Sequence, residues 1–139
     1  MESHYALSDS QFEEEFARCT LDPDLFTHEA HLRLAWVHIT KYGIDKAISN
    51  IVAQLVNYTI AIGEQTIYNE TVTIAAVKIV FHFMLKSRAD NFEEFIGDNS
   101  RLQHNFKDLI GSHYRTDIFS SESAKRAYLE PELLPFIKT

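Results

Sequence analysis

The chain is poor in the residues that hold small proteins together by covalent or metal chemistry. Its 139 residues include one cysteine, Cys19. A single thiol cannot close an intrachain disulfide, and it leaves no Cys-x-x-Cys pair for a zinc ribbon or a redox centre. A reducing, cytoplasmic setting is therefore expected. Glycine and proline are scarce, at four and three, which speaks against a many-turned β architecture and for helices with short connections. Cations are the minority charge: 13 Lys and Arg face 20 Asp and Glu, for a formal net charge of −7. The basic residues are scattered, so no nucleic-acid partner is expected, because counterion release from phosphates needs clustered Lys and Arg. No apolar run approaches the roughly 20 residues of a membrane span, so no membrane partner is expected either. The acidic N-terminus lacks the basic, apolar, small-residue progression of a secretory leader. No internal repeat interrupts what reads as one helical domain, 1–139, long enough to bury a core without staples.

Helix signals recur along the chain. Ser8 with Gln11, or Ser10 with Glu13, can form a capping box ahead of Phe12 and Phe16, which stack at i,i+4. The acids Glu13, Glu14 and Glu15 read as a solvated helix start favoured by the helix dipole. A turn at Leu21-Asp22-Pro23-Asp24 delivers the chain into a helix capped by Asp24 or Thr27 and ended by Gly43. A broad apolar face over residues 45–61 predicts the next helix, closed by Gly63. Residues 69–86 form the most apolar segment, interrupted by Lys78, His82 and Lys86 as one thin wet stripe. This is the expected buried central helix, with His82 at the surface. Asn91 with Glu94 opens a short helix, residues 100–110 another, stopped by Gly111, and Ser120-Ser121-Glu122 a last one ending before Pro131. His104 and His113 have no clear partner in the sequence. The proline-broken tail, residues 128–136, reads as a strap across the bundle, with a partner-binding segment as the alternative.

The segment around which the chain is organised is Phe26 to His38, with three of the seven histidines. At about 100° per residue, Glu29, Arg33 and Thr40 share one arc, the expected water-facing side. His31 projects opposite, flanked by His28 and His38, and all three are expected to point inward. A buried imidazole carries a ring N–H and a lone pair that both need partners, so the seam should contain a ligand, a metal or internal acceptors.

His28 and His31 are three apart and can converge on one point, with Glu70, at the start of the central helix, as the carboxylate that would join them. These three are the candidate catalytic residues, histidine serving as acid or base near neutral pH. Trp36, His38, Tyr68, Asn69 and Thr73 are candidate ligand-binding residues around them. Iron, zinc or manganese would suit an imidazole-carboxylate set. Two bland readings stand beside this one: Glu70 follows the capping residue Asn69 and suits a helix start on its own, and inward histidines can be satisfied by tyrosines such as Tyr42, Tyr58 and Tyr68. The spacing of Glu29 does not match the His-Glu-x-x-His metalloprotease signature. Cys19 has no identifiable base, so nucleophilic catalysis finds no support.

These segments resemble a family of uncharacterised bacterial helical proteins with a Phe-x-His-x-Ala-His-Leu-x-x-Ala-Trp segment, a Tyr-His-Glu-Thr-x-Thr segment and a proline-containing tail. Here they fall at Phe26 to Trp36, Tyr68 to Thr73, and Phe119 to Pro135. The resemblance implies positions and no reaction. The chain carries Asn69 where the pattern has His, and Asn is a poor transition-metal ligand.

The expectation is thus an all-α domain of five to seven helices that binds a small molecule, with enzymatic acid–base use of the histidines as one form of it. The alternatives are an interaction module whose histidines only satisfy the core, and a metal-binding protein. No cofactor and no oligomeric state can be read.

Overall fold

A computed structural model describes residues 3–136. Among the described residues the fold is all-α, with eight α-helices, three short 3-10 turns and no strand. No helix there is long and apolar enough to cross a membrane. The chain forms two compact units, Met1–Tyr68 and Asn69–Thr139.

The first unit contains α1 (Asp9–Ala17), α2 (His28–Tyr42) and α3 (Ile44–Ala61). Ser8, rather than Ser10, caps α1: its hydroxyl accepts Gln11 N–H at 3.2 Å, and the Gln11 side chain returns to Ser8 N–H at 2.9 Å. Thr27 rather than Asp24 caps α2, accepting Ala30 N–H at 3.2 Å. Gly43 alone separates α2 from α3, and its φ of 83° is the left-handed conformation that lets one residue end a helix and start the next. Phe12 and Phe16 of α1 are fully buried, as their i,i+4 spacing requires.

Helix α2 is the buried axis of this unit. Every residue from 32 to 39 is buried, Arg33 and His38 included. This corrects the expected orientation. Arg33, assigned to the water side, is 4 % exposed, while His28 and His31, expected inward, are exposed. The cause is the N-terminal segment, which no periodicity within α2 could reveal. A 3-10 turn, His4–Ala6, and the start of α1 cover the Arg33 face and supply it with acceptors. Of the three seam histidines only His38 is buried, at 0 % exposure.

The second unit holds α4 (Glu70–Leu85), α5 (Phe92–Asp98), α6 (Arg101–His104), α7 (Phe106–His113) and α8 (Glu122–Arg126). Within α4 only Leu85 is exposed, consistent with a buried helix. The wet stripe is narrower than expected, because Lys78 and His82 are both half-buried. Residues 100–110 make two helices, not one, because Asn105 leaves helical geometry at φ −129°, ψ 30°. That break brings the helix count to eight. Gly111 does not stop α7, which continues to His113. The last helix is shorter than expected, since Ala127 turns extended at φ −149°, ψ 149°.

Candidate functional site

Helix α2 carries two polar groups of opposite character in the first unit. At its start, the His31 ring stacks on Phe26 with centroids 3.8 Å apart and planes at 21°. Phe26 in turn meets Phe16 at 4.9 Å and Tyr58 at 5.3 Å. Tyr58 is locked by donating its hydroxyl to Leu21 O at 2.8 Å. Burial, with Asp22 and Cys19 adding to it, raises the Tyr58 pKa to about 12, so that donor keeps its proton. The His31 pKa is pushed down to about 4, first by the protein atoms crowded around it and then by the neighbouring His28 imidazole. Crowding and exposure oppose each other at this ring. It is exposed by surface area, and water at its open edge limits the desolvation. The His31 imidazole is therefore neutral at pH 7.

Further along α2 lies a groove of about 170 Å³ lined by Asp9, Ser10 and Glu13 of α1 and by Trp36, Val37, Thr40 and Lys41 of α2. The spacings explain it. Asp9 and Glu13 are one turn apart, as are Trp36 with Thr40 and Val37 with Lys41, so two helix faces meet there. Glu13 forms its wall. One carboxylate oxygen accepts from Lys41 Nζ at 3.0 Å and the other from Tyr42 OH at 2.5 Å. Burial raises the Glu13 pKa, but the bonds from Tyr42 and Lys41 outweigh it and the net displacement is downward. Glu13 is therefore a fixed negative charge at neutral pH. The bond to Glu13 likewise raises the Lys41 pKa.

His38 sits behind this arrangement. Its ring centroid is 5.5 Å from that of Tyr42, and Nδ1 is 3.5 Å from Asn50 Nδ2. Nε2 is buried without a hydrogen-bond partner among the described residues. Desolvation lowers the His38 pKa, with Lys41 acting in the same direction and Glu13 against it.

The sequence-predicted residues divide between these places. His28 and His31 share the start of α2; Trp36 lines the groove; His38 is core; Tyr68 ends a 3-10 turn, Gln65–Ile67. Asn69, Glu70 and Thr73 belong to the second unit, where each has a local task. Asn69 caps α4 through Val72 N–H at 3.0 Å and donates to Ile118 O at 2.8 Å. Thr73 donates its hydroxyl to Asn69 O at 2.7 Å. Glu70 is half-buried in the first turn of α4, where a carboxylate favours the dipole. Glu13, part of an acidic run that reads as a solvated helix start, instead binds Lys41 and Tyr42 at the groove. No neighbour within a turn marks it, because its partners Lys41 and Tyr42 lie 28 and 29 positions on. Among the described residues, no three His, Cys, Asp or Glu side chains gather as a metal site.

No family profile, curated protein or solved structure matches the chain.

Proposed function

We propose that this protein binds a small hydrogen-bonding molecule in the groove between α1 and α2. The observation that carries the reading is the charged Glu13–Lys41 pair with Tyr42 beside a cleft that Trp36 and Val37 make partly apolar. Such a mixture, an apolar surface with a few fixed polar groups, is what orients small ligands. At about 170 Å³ the groove falls below the ~300 Å³ at which drug-sized pockets begin. A compact metabolite suits it and a dinucleotide does not. Binding rather than catalysis is proposed, because both carboxylates of the lining are already engaged, Asp9 by Arg33 and Glu13 by Lys41 and Tyr42. Cytoplasmic residence belongs to the same proposal, supported by the free thiol of Cys19.

The chain has one tryptophan, and it lines the groove, so its fluorescence reports occupancy directly. The test is a titration of small amines, polyols and carboxylic acids against Trp36 emission. A saturable change that is lost in Glu13→Gln and Lys41→Ala is the expected result. Flat titrations across the panel, or an unchanged curve in both variants, would overturn the reading.

A second reading is favoured by the exposed, neutral His31 stacked on Phe26 beside His28. There the imidazoles would meet a ligand as acceptors or as acid and base. His28→Ala and His31→Ala would then abolish binding that Glu13→Gln leaves intact.

A further inference from the structure

Two charged groups of the α1–α2 groove keep bonding capacity after their internal partners are satisfied. Arg33 reaches Asp9 from Nε at 3.1 Å and from Nη2 at 2.9 Å, and both bonds fall on Oδ1. Oδ2 accepts nothing among the described residues, so it stays available as an anionic acceptor. Lys41 is the counterpart. Its ammonium has three N–H donors, and the bond to Glu13 at 3.0 Å uses one. The two ion pairs are staggered along the groove, because Asp9 and Glu13 are one turn apart on α1 while Arg33 and Lys41 are two turns apart on α2. Asp9 therefore marks one end and Lys41 the other. Trp36 and Val37 give the wall between them an uncharged, apolar surface, and the Ser10 and Thr40 hydroxyls, each able to donate or accept, line the same space.

We propose that the groove takes a small zwitterion, an aliphatic α-amino acid, with its ammonium on Asp9 Oδ2, its carboxylate on Lys41 Nζ and its side chain against Trp36 and Val37. This rests on the groove reading above and names the class of ligand that the groove takes. The charges decide the class. Asp9 and Glu13 carry two negative charges, and Arg33 and Lys41 return two positive ones. A balanced lining of this kind gives little to a ligand of net charge. A simple carboxylate would face Asp9 and Glu13 with no cation of its own, and a simple amine would leave the Lys41 donors to water. A zwitterion meets its complement at both ends. The spacing suits a short one: a turn of α1 is about 5.4 Å, a distance that an ammonium and a carboxylate on one carbon can bridge with a hydrogen bond of about 2.9 Å at each end. Entry needs no opening of the fold, because the Asp9 and Lys41 side chains are 57 % and 56 % exposed.

The test follows Trp36 emission of the full chain with three probes: L-valine, isobutylamine, which lacks its carboxylate, and isovalerate, which lacks its amine. Valine should bind about fivefold tighter than either half, the upper end for an ion pair open to water. In Asp9→Asn its advantage over isovalerate should disappear, and in Lys41→Gln its advantage over isobutylamine. If circular dichroism shows either variant unfolded, the three titrations of the unmodified chain decide alone. A half that binds as tightly as valine would overturn the proposal and leave the groove reading standing, as would a saturable response to a polyol with none to valine. A valine preference that survives both substitutions would overturn it too. Flat curves for every probe and every polyol would overturn both readings.

Discussion

Arg33 holds His4 twice with one nitrogen: Nη1 is 2.7 Å from the His4 carbonyl oxygen and 3.2 Å from His4 Nδ1. A guanidinium only donates, so Nδ1 is the accepting nitrogen, and Nε2 carries the proton that goes to Glu29 Oε1 at 2.8 Å. The remaining donors of Arg33 reach Asp9 Oδ1 at 3.1 and 2.9 Å and Leu7 O at 2.9 Å. All five N–H groups are thereby used, and the side chain lies over Phe12 at 4.8 Å. One buried cation thus fastens the N-terminal segment to α2.

Removing that cation leaves several acceptors unpaired at once. Arg33→Met is therefore expected to lower the unfolding free energy by about 3 kcal/mol, the scale for breaking a buried charged network. Arg33→Lys should recover little of it, because an ammonium on a flexible stem cannot span the same fork. Urea unfolding of the three proteins checks this. Equal stability of the Lys variant and the original would show that charge, not geometry, holds the segment.

Cys19 occupies a position made for glycine. It follows the end of α1 at φ 61°, with Thr20 N–H bonded to Glu15 O at 2.8 Å and Cys19 N–H to Phe16 O at 3.0 Å. This is a Schellman termination, and the left-handed residue in it pays a steric cost that glycine avoids. Cys19→Gly should stabilise the protein by about 1 kcal/mol, whereas Cys19→Ala should not. Thermal unfolding of both variants is sufficient. A Gly variant no more stable than the Ala variant would mean that the backbone strain is absorbed elsewhere.

What the sequence made legible depended on whether the information was local. Caps at Ser8, Thr27, Asn69 and Asn91 and the helix end at Gly43 all follow from residues within one turn of where they act. The faces of α2 did not. Leu32, Leu34 and Ile39 are apolar all round the helix, so the periodicity was weak. The deciding fact, that His4 and Asp9 cover Arg33, comes from 24 to 29 residues away. The same holds for Glu13, whose partners Lys41 and Tyr42 lie 28 and 29 positions on. Asn69 was legible as a cap, but its second bond, to a carbonyl 49 residues on, was not.

Acid should weaken the fold through His38. Its folded pKa lies below the ordinary 6.5 because burial disfavours the charged ring. The unfolded chain therefore binds a proton that the folded chain resists, and stability falls as pH drops from 6.5 toward the folded pKa. His82 contributes with the same sign, its pKa being lowered by burial first and then by Lys86 and His113. Glu13 acts in a lower window: its depressed pKa gives stability above 4.5 that is lost only as pH falls through the folded value. Between pH 7.5 and 5 the unfolding free energy should thus decline, with a slope of at most about 1.4 kcal/mol per pH unit from any single histidine. His38→Gln should reduce that decline and leave the part contributed by His31 and His82. A slope unchanged by the substitution would assign the acid sensitivity to His82 and His31 instead.

Asn69 separates two functions that a single side chain performs at once. Its oxygen caps α4 by accepting Val72 N–H, and its amide nitrogen ties α4 to the backbone of Ile118. Asn69→Asp preserves the acceptor but sets a carboxylate oxygen against Ile118 O where the donor stood, so it should cost at least about 1 kcal/mol, the net worth of one hydrogen bond. Asn69→Ala deletes both, and the lost cap adds about 1 kcal/mol more. Amide exchange distinguishes the sites as well: the tie's loss should loosen the segment around Ile118 in both variants, and fraying at Val72 should appear only with alanine. If Asp and Ala destabilise equally and both fray at Val72, the oxygen is not capping and the α4 start is held by Thr73, whose hydroxyl reaches Asn69 O at 2.7 Å.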